Sequence, residues 1–206
     1  IIAYYHYFPI EDLPKNGEIV YQETFNHNHL GEIIFSRQIE AMSSANHCVT
    51  CSKYGKEFFI ENVKATGRSI NVDKLRNINP PISLKEAAEN YTDEKFETKT
   101  IFFNHRLYKH YGTAEIFEWL NELYSIRKDF KVIVTDPTGS RSEERNRLAP
   151  DVVELKNKLQ CLPFVSFKYI QSHADYYKIL WKSDIGLAPI KPSALWSMAA
   201  VDFLAC

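Results

Sequence analysis

From Thr98 to the last residue, short apolar runs alternate with stretches of helical period four times, and this alternation constrains the fold more than any other feature. Ile101-Phe102-Phe103 is the first run. Behind it Ile116, Leu120, Leu123 and Arg127 fall at helical spacing with Phe117 and Tyr124 beside them, and acids (Glu115, Glu118, Glu122) precede Arg127-Lys128, the order that the helix dipole favours. The pattern then predicts a strand over Phe130 to Thr135, a helix whose centre is Val152 to Leu159, and a strand over Phe164 to Phe167. Ser172 caps a helix carrying Tyr176, Tyr177, Leu180 and Trp181, followed by a strand over Ile185 to Ala188 and a last helix from about Leu195. Strands joined by helical crossovers lie parallel, so the expected class is α/β with helices on both faces of the sheet.

The first eighty residues are similar in kind. A strand over Ile1 to Tyr7 leads through a polar loop to a helix near Ile33 to Met42, a strand over His47 to Thr50, and a helix opened by Ser52. Asn77-Ile78-Asn79-Pro80-Pro81 interrupts regular pairing, and the charged stretch Lys85 to Lys99 has little to bury, the composition of a connection. The expected organisation is a first domain over 1–82, a linker over 83–97 and a second domain over 98–206. Both ends look cut, since the chain opens on strand-like residues without Met and stops at Cys206 inside an apolar helical pattern, so the expectation is a piece of a longer protein.

Composition narrows the partners. With 25 basic against 26 acidic residues there is no global basic field, so nucleic acid is not the default partner. No apolar run approaches the roughly 20 residues that span a bilayer, and Ile1-Ile2-Ala3-Tyr4-Tyr5 has no signal-peptide flank, so the sequence reads as cytoplasmic. Four cysteines, Cys48, Cys51, Cys161 and Cys206, are too few for a disulfide scaffold and read as free thiols.

In an open parallel sheet, ligands bind at the carboxyl ends of the strands. The segment Asn104-His105-Arg106-Leu107-Tyr108-Lys109-His110-Tyr111-Gly112 places cations before a helix start, a setting suited to a diphosphate, although a solvated charged loop has the same composition. Pro189-Ile190-Lys191-Pro192-Ser193-Ala194-Leu195-Trp196-Ser197-Met198 leads into a helix containing Asp202, which could accept from a ribose hydroxyl or be a surface acid. Cys48 and Cys51 have a C-x-x-C spacing, but no second ligand pair follows, so packing accounts for them better than zinc. His27-Asn28-His29 has no carboxylate cluster beside it and reads as polar loop, with a cleft-lining role left open. A Ser-His-Asp hydrolase lacks its usual G-x-S-x-G elbow, and neither G-x-x-x-x-G-K-[ST] nor G-x-G-x-x-G occurs, which removes kinases, simple NTPases and typical dehydrogenases from the leading group.

The order of these features resembles the GT-B nucleotide-sugar glycosyltransferases, in particular the retaining group 1 family, built of two Rossmann-like domains facing across a cleft. Ala45 to Phe59 is similar to the family's valine strand, serine and helix late in the first domain, and Asn79-Pro80-Pro81 to its interdomain Asn-Pro. Phe103 to Leu107, up to Gly112, resembles the Gly-Arg-Leu loop, and Tyr176 to Pro189 the helix and strand that follow later. Val201-Asp202-Phe203-Leu204-Ala205-Cys206 resembles the segment usually written Leu-Glu-Ala-Met-Ala-Cys.

The resemblance implies transfer of a sugar from a nucleoside-diphosphate sugar to an acceptor hydroxyl with retention, with no cofactor beyond the donor itself. It implies that Arg106 and Lys109 meet the donor diphosphate, that the backbone around Trp196, Ser197 and Met198 caps the phosphates, and that Asp202 takes the place of the second Glu of the E-x7-E motif near the ribose. His6 looks like the first-domain histidine that reaches the transferred sugar, and no metal is implied. The sequence departs from the family where the first Glu falls on Ala194, where the lysine before Gly112 is displaced to Lys109, and where a glycine is missing around Lys168-Tyr169. The alternatives are a non-catalytic relative that binds nucleotide or a partner, motivated by Ala194, and an epimerase of the same two-domain plan. The acceptor, whether glycan, lipid or another hydroxyl compound, is not specified by these residues.

Overall fold

The computed structural model describes residues 2–5, 30–65, 67–107, 112–136, 150–189 and 197–206, and the described residues fall into two compact units, the chain passing from the first to the second after Pro81. The first unit holds β1 (Ile2–Tyr5), α1 (Leu30–Ser44), β2 (His47–Thr50), α2 (Lys53–Ala65), a single 3₁₀ turn (Val72–Lys74) and β3 (Leu75–Asn77). Its sheet runs β1-β2-β3, all parallel, with Ala3 opposite Cys48 and Cys48 opposite Leu75. Met42, Cys48, Cys51, Phe59, Val63 and Leu75 form a core in which each is at most 1% exposed. Ser52 starts α2 as expected, its hydroxyl accepting from the Gly55 amide at 2.9 Å.

The second unit contains α3 (Leu84–Glu89), β4 (Lys99–Phe103), α4 (Thr113–Ile126), β5 (Phe130–Thr135), α5 (Pro150–Gln160), β6 (Val165–Lys168), α6 (His173–Lys182), β7 (Ile185–Leu187) and α7 (Met198–Leu204). Its four parallel strands lie in the order β6-β5-β4-β7. Runs of Ile, Val and Phe suit the two central strands because both of their faces are covered. On one face Ile101, Phe103, Val132 and Val134 meet Phe117 and Leu120 of α4 and Val152 and Leu159 of α5. On the other, Phe102 and Ile133 meet Ala87 of α3, Tyr177 and Leu180 of α6, and Phe203 of α7. The sheet is therefore doubly wound, as the alternation of the sequence requires.

Element bounds differ from the pattern mainly at ends. The last described helix starts at Met198, capped by Ser197, and β7 stops at Leu187. Residues 83–97, whose charge predicts a connection with little to bury, instead pack on the second unit. Ser83 caps α3 by accepting from the Glu86 amide at 3.2 Å, Ala87 is fully buried, and the Trp181 indole N–H donates to the Ala87 carbonyl at 2.8 Å. The segment escapes a composition argument because its one fully buried side chain is a methyl group, while its other anchors, Tyr91, Lys95 and Phe96 among them, are side chains that stay exposed or half-buried.

Candidate functional site

In the second sheet the chain adds β5 and β6 on one side of β4 and then returns to place β7 on the other. Open α/β sheets bind ligands at such a reversal, in the crevice beyond the carboxyl ends of the strands on either side, which here are β4 and β7. Two segments enter it, the turn after β4 and the start of α7.

The turn after β4 is pinned at both ends. Leu107 is 1% exposed and belongs to the core, while the Asn104 amide nitrogen donates to the Tyr176 hydroxyl at 2.7 Å and to the Ala199 carbonyl at 3.1 Å. Between these anchors His105 and Arg106 are displayed, with the Arg106 amide donating to Nδ1 of His105 at 3.0 Å. Arg106 is exposed. Gly112 then opens α4 with a left-handed backbone (φ 64°, ψ 30°) and gives the helix no side-chain cap. That conformation carries no steric cost for glycine.

α7 is placed by contact with β7. A side chain at Gly186 would meet the Phe203 ring at 2.2 Å, so the absence of a Cβ there is what lets the helix settle on the strand. Ser197 accepts from the Ala200 amide at 3.2 Å, and Met198 is partly exposed at the helix start. One turn later Asp202, half-buried, accepts the Tyr176 hydroxyl proton on Oδ2 at 2.8 Å. Burial pushes the Asp202 carboxyl above its ordinary range, opposed by the Tyr176 bond and by the positive field of His173. Tyr176 is held as the neutral phenol, chiefly by burial and then by its bond to Asp202.

The turn that carries Arg106 is thus tied by Asn104 to Tyr176 and to α7, the helix that Ser197 caps, that Met198 opens and that holds Asp202. His6, Lys109 and Trp196 lie outside the described residues, as do His27, His29 and Ala194. Asn104 and Tyr176 fall inside segments on which the family resemblance rests, but neither stands out in sequence as a candidate site residue; only the position of Asn104 directly after a strand hints at the site.

Other features lie apart from the crevice. A groove of about 440 Å³ opens at the opposite, amino edge of the sheet between Lys99, Leu123, Arg127, Asp184 and Ile185. Asp136, after β5, is paired at 2.8 Å with Lys156, so that this cation is matched by a carboxylate. Cys48 and Cys51 are completely buried and pack in the first core, burial raising both thiols above their ordinary range. Among the described residues no group of three His, Cys, Asp or Glu side chains is placed to hold a metal ion, and no helix is long and apolar enough to cross a membrane.

No protein-family model matches the chain, and no curated protein matches it. Solved structures do. A glycosyltransferase from Rickettsia africae ESF-5 superposes with a TM-score of 0.60 at 19% identity, over 84% of this chain and 45% of that one. Sucrose-phosphate synthase from Thermosynechococcus elongatus gives 0.63 at 14% identity over 100% of this chain and 48% of the other. An α,α-trehalose 6-phosphate synthase from Burkholderia multivorans gives 0.56 at 10% identity over 82% and 44%. The chain spans less than half the length of each, and at these identities the likeness is one of fold. With two Rossmann-like α/β units built on parallel sheets, the chain has the fold of the GT-B glycosyltransferases.

Proposed function

We propose that this chain carries the donor side of a glycosyltransferase that moves a sugar from a nucleoside-diphosphate sugar to an acceptor hydroxyl with retention. The observation that supports it most directly is the arrangement at the crevice: a turn displaying Arg106 beside a helix start without a side-chain cap, joined by hydrogen bonds to the helix that carries Asp202. The names of the fold neighbours, a glycosyltransferase and two synthases of phosphorylated sugars, agree with sugar transfer.

In this reading the Arg106 guanidinium, with Lys109, faces the diphosphate and stabilises the charge that develops on it as the sugar departs. Backbone N–H groups near Trp196, Ser197 and Met198 add donors to the phosphates, and Asp202 accepts from the ribose with the oxygen that Tyr176 does not occupy. His6 of the first unit contacts the transferred sugar. The donor is a substrate, and no further cofactor is part of the proposal. The acceptor is a hydroxyl compound.

The test is calorimetric titration of the full chain with nucleoside diphosphates, followed by an assay with the corresponding sugar donors. Arg106→Ala should weaken diphosphate binding by roughly 1.5–3 kcal/mol, the range for hydrogen bonds to a charged group. Unchanged affinity removes Arg106 from the site. A product whose anomeric configuration is inverted by NMR refutes retention.

A further inference from the structure

We infer that Asn104 and Tyr176 are positioning residues that set the orientation of the Asp202 carboxylate. The inference rests on the donor-site reading of Asp202 and adds to it how that side chain is held.

The hydrogen bonds have one consistent direction. The Ala199 carbonyl can only accept, so the Asn104 group 3.1 Å from it is the amide nitrogen, and the same nitrogen donates to the Tyr176 oxygen at 2.7 Å. A phenol that accepts there has its own proton to give, and it gives it to Oδ2 of Asp202 at 2.8 Å. Each member is fixed by the one before it, and the series ends on a carboxylate oxygen. Asp202 thereby has one oxygen committed and its other oxygen turned in a single direction.

Packing does not explain the polar atoms. The Tyr176 ring sits against Phe102 at 6.1 Å and Tyr177 at 5.7 Å, contacts that a phenylalanine would make equally well. Orienting Asn104 in this way also leaves its Oδ1 buried without a partner, an uncompensated cost. A side chain that adds nothing to the core and leaves an acceptor unpaired is accounted for by what it holds. Besides Tyr176, His173 on α6 is the group whose charge reaches Asp202, and the Asp202 charge in turn reaches Tyr177 on α6 and Cys206 beyond α7, with Glu86 of α3 paired to His173 at 3.2 Å.

The experiment compares binding of whichever of uridine, adenosine or guanosine diphosphate the wild-type full chain binds best with binding of its analogue lacking the ribose hydroxyls. Tyr176→Phe keeps the ring and should weaken the parent nucleotide about tenfold, the effect of one ordinary hydrogen bond, while the analogue loses about twofold or less. Added to Asp202→Ala, the same change should cost nothing more, because the two act through one contact. Equal weakening of both ligands, no weakening of either, or full additivity with Asp202→Ala overturns the positioning role while leaving the donor site standing. A wild-type chain that binds none of the three diphosphates overturns the donor-site reading and this inference together.

Discussion

The turns that follow β2 and β4 treat the next helix in opposite ways. After β2 the chain closes its own helix end: Ser52 accepts from Gly55 at 2.9 Å, and Thr50 turns its hydroxyl back to the Ser52 carbonyl at 3.3 Å. After β4 a longer turn intervenes, and α4 begins on left-handed Gly112 with no side-chain cap. The cores differ in the same sense. Among the described residues the first unit packs thiols and aliphatic groups around one buried ring, that of Phe59, whereas the second sets ring against ring, with Phe103 edge-on to Phe117 at 5.4 Å and Phe130 tilted on Phe164 at 5.6 Å. A core of interlocked rings fixes the carboxyl ends of its strands, and that support holds the turn that carries Arg106.

The largest expected effect sharpens the contrast in packing. Phe103→Ala should cost about 3–5 kcal/mol of stability in urea unfolding, as for a fully buried ring, and Cys48→Ala in the first unit much less. Comparable losses would mean that ring packing does not distinguish the two units.

Gly186→Ala is next. The new methyl would lie in the Phe203 ring, so α7 must shift, at about 1–3 kcal/mol for overpacking, and nucleoside-diphosphate binding should fall with it because Asp202 rides on the same helix. Full affinity at reduced melting temperature would show that Asp202 is not part of the site.

The two helix starts can then be exchanged in character. Ser52→Ala and Gly112→Ala should each cost about 1 kcal/mol, one through a lost cap and the other through a left-handed backbone, but only Gly112→Ala should weaken diphosphate binding. Binding changed by Ser52→Ala would break the comparison.

The smallest effect is one of pH. Because burial raises the Asp202 carboxyl above its ordinary range, the folded chain holds that proton more tightly than the unfolded one. Stability therefore falls as pH rises from the unfolded value, about 3.9, until the folded value is passed. Asp202→Asn removes this loss, so its melting temperature relative to wild type should be higher near neutrality than near about pH 4, the range in which an unfolded aspartate titrates. The opposite trend would mean that the Tyr176 bond outweighs burial.

Sequence reading succeeded where one residue type and its neighbours decide the outcome. Phe130–Thr135 and His47–Thr50 are strands over the residues that their pattern predicts, because runs of β-branched and aromatic side chains are bounded by polar ones. It missed β3, whose Leu75 is its one apolar residue and which exists because Leu75 pairs with Cys48. It also passed over α3, although Ser83 and Glu86 stand at capping-box spacing. At the candidate site, Arg106 after a strand and Asp202 in the last helix stand out in sequence as charged groups. Asn104 and Tyr176 do not, because their partners lie 72 and 26 residues away and no local pattern records such distances.

The attachment of residues 84–97 bears on where the gene can be cut. Tyr91 meets Trp181 edge-on at 4.8 Å, Lys95 donates to the Ser183 carbonyl at 3.1 Å, and Phe96 lies beneath both Lys168 and Lys182 at 5.2 and 5.8 Å. A recombination breakpoint at Thr98 would discard all of these, strand the indole N–H of Trp181 and open the sheet face behind Phe102 to water. Moved back ahead of Ser83, the same breakpoint lets a transplanted second unit bring its own wrapping, whatever it is fused to.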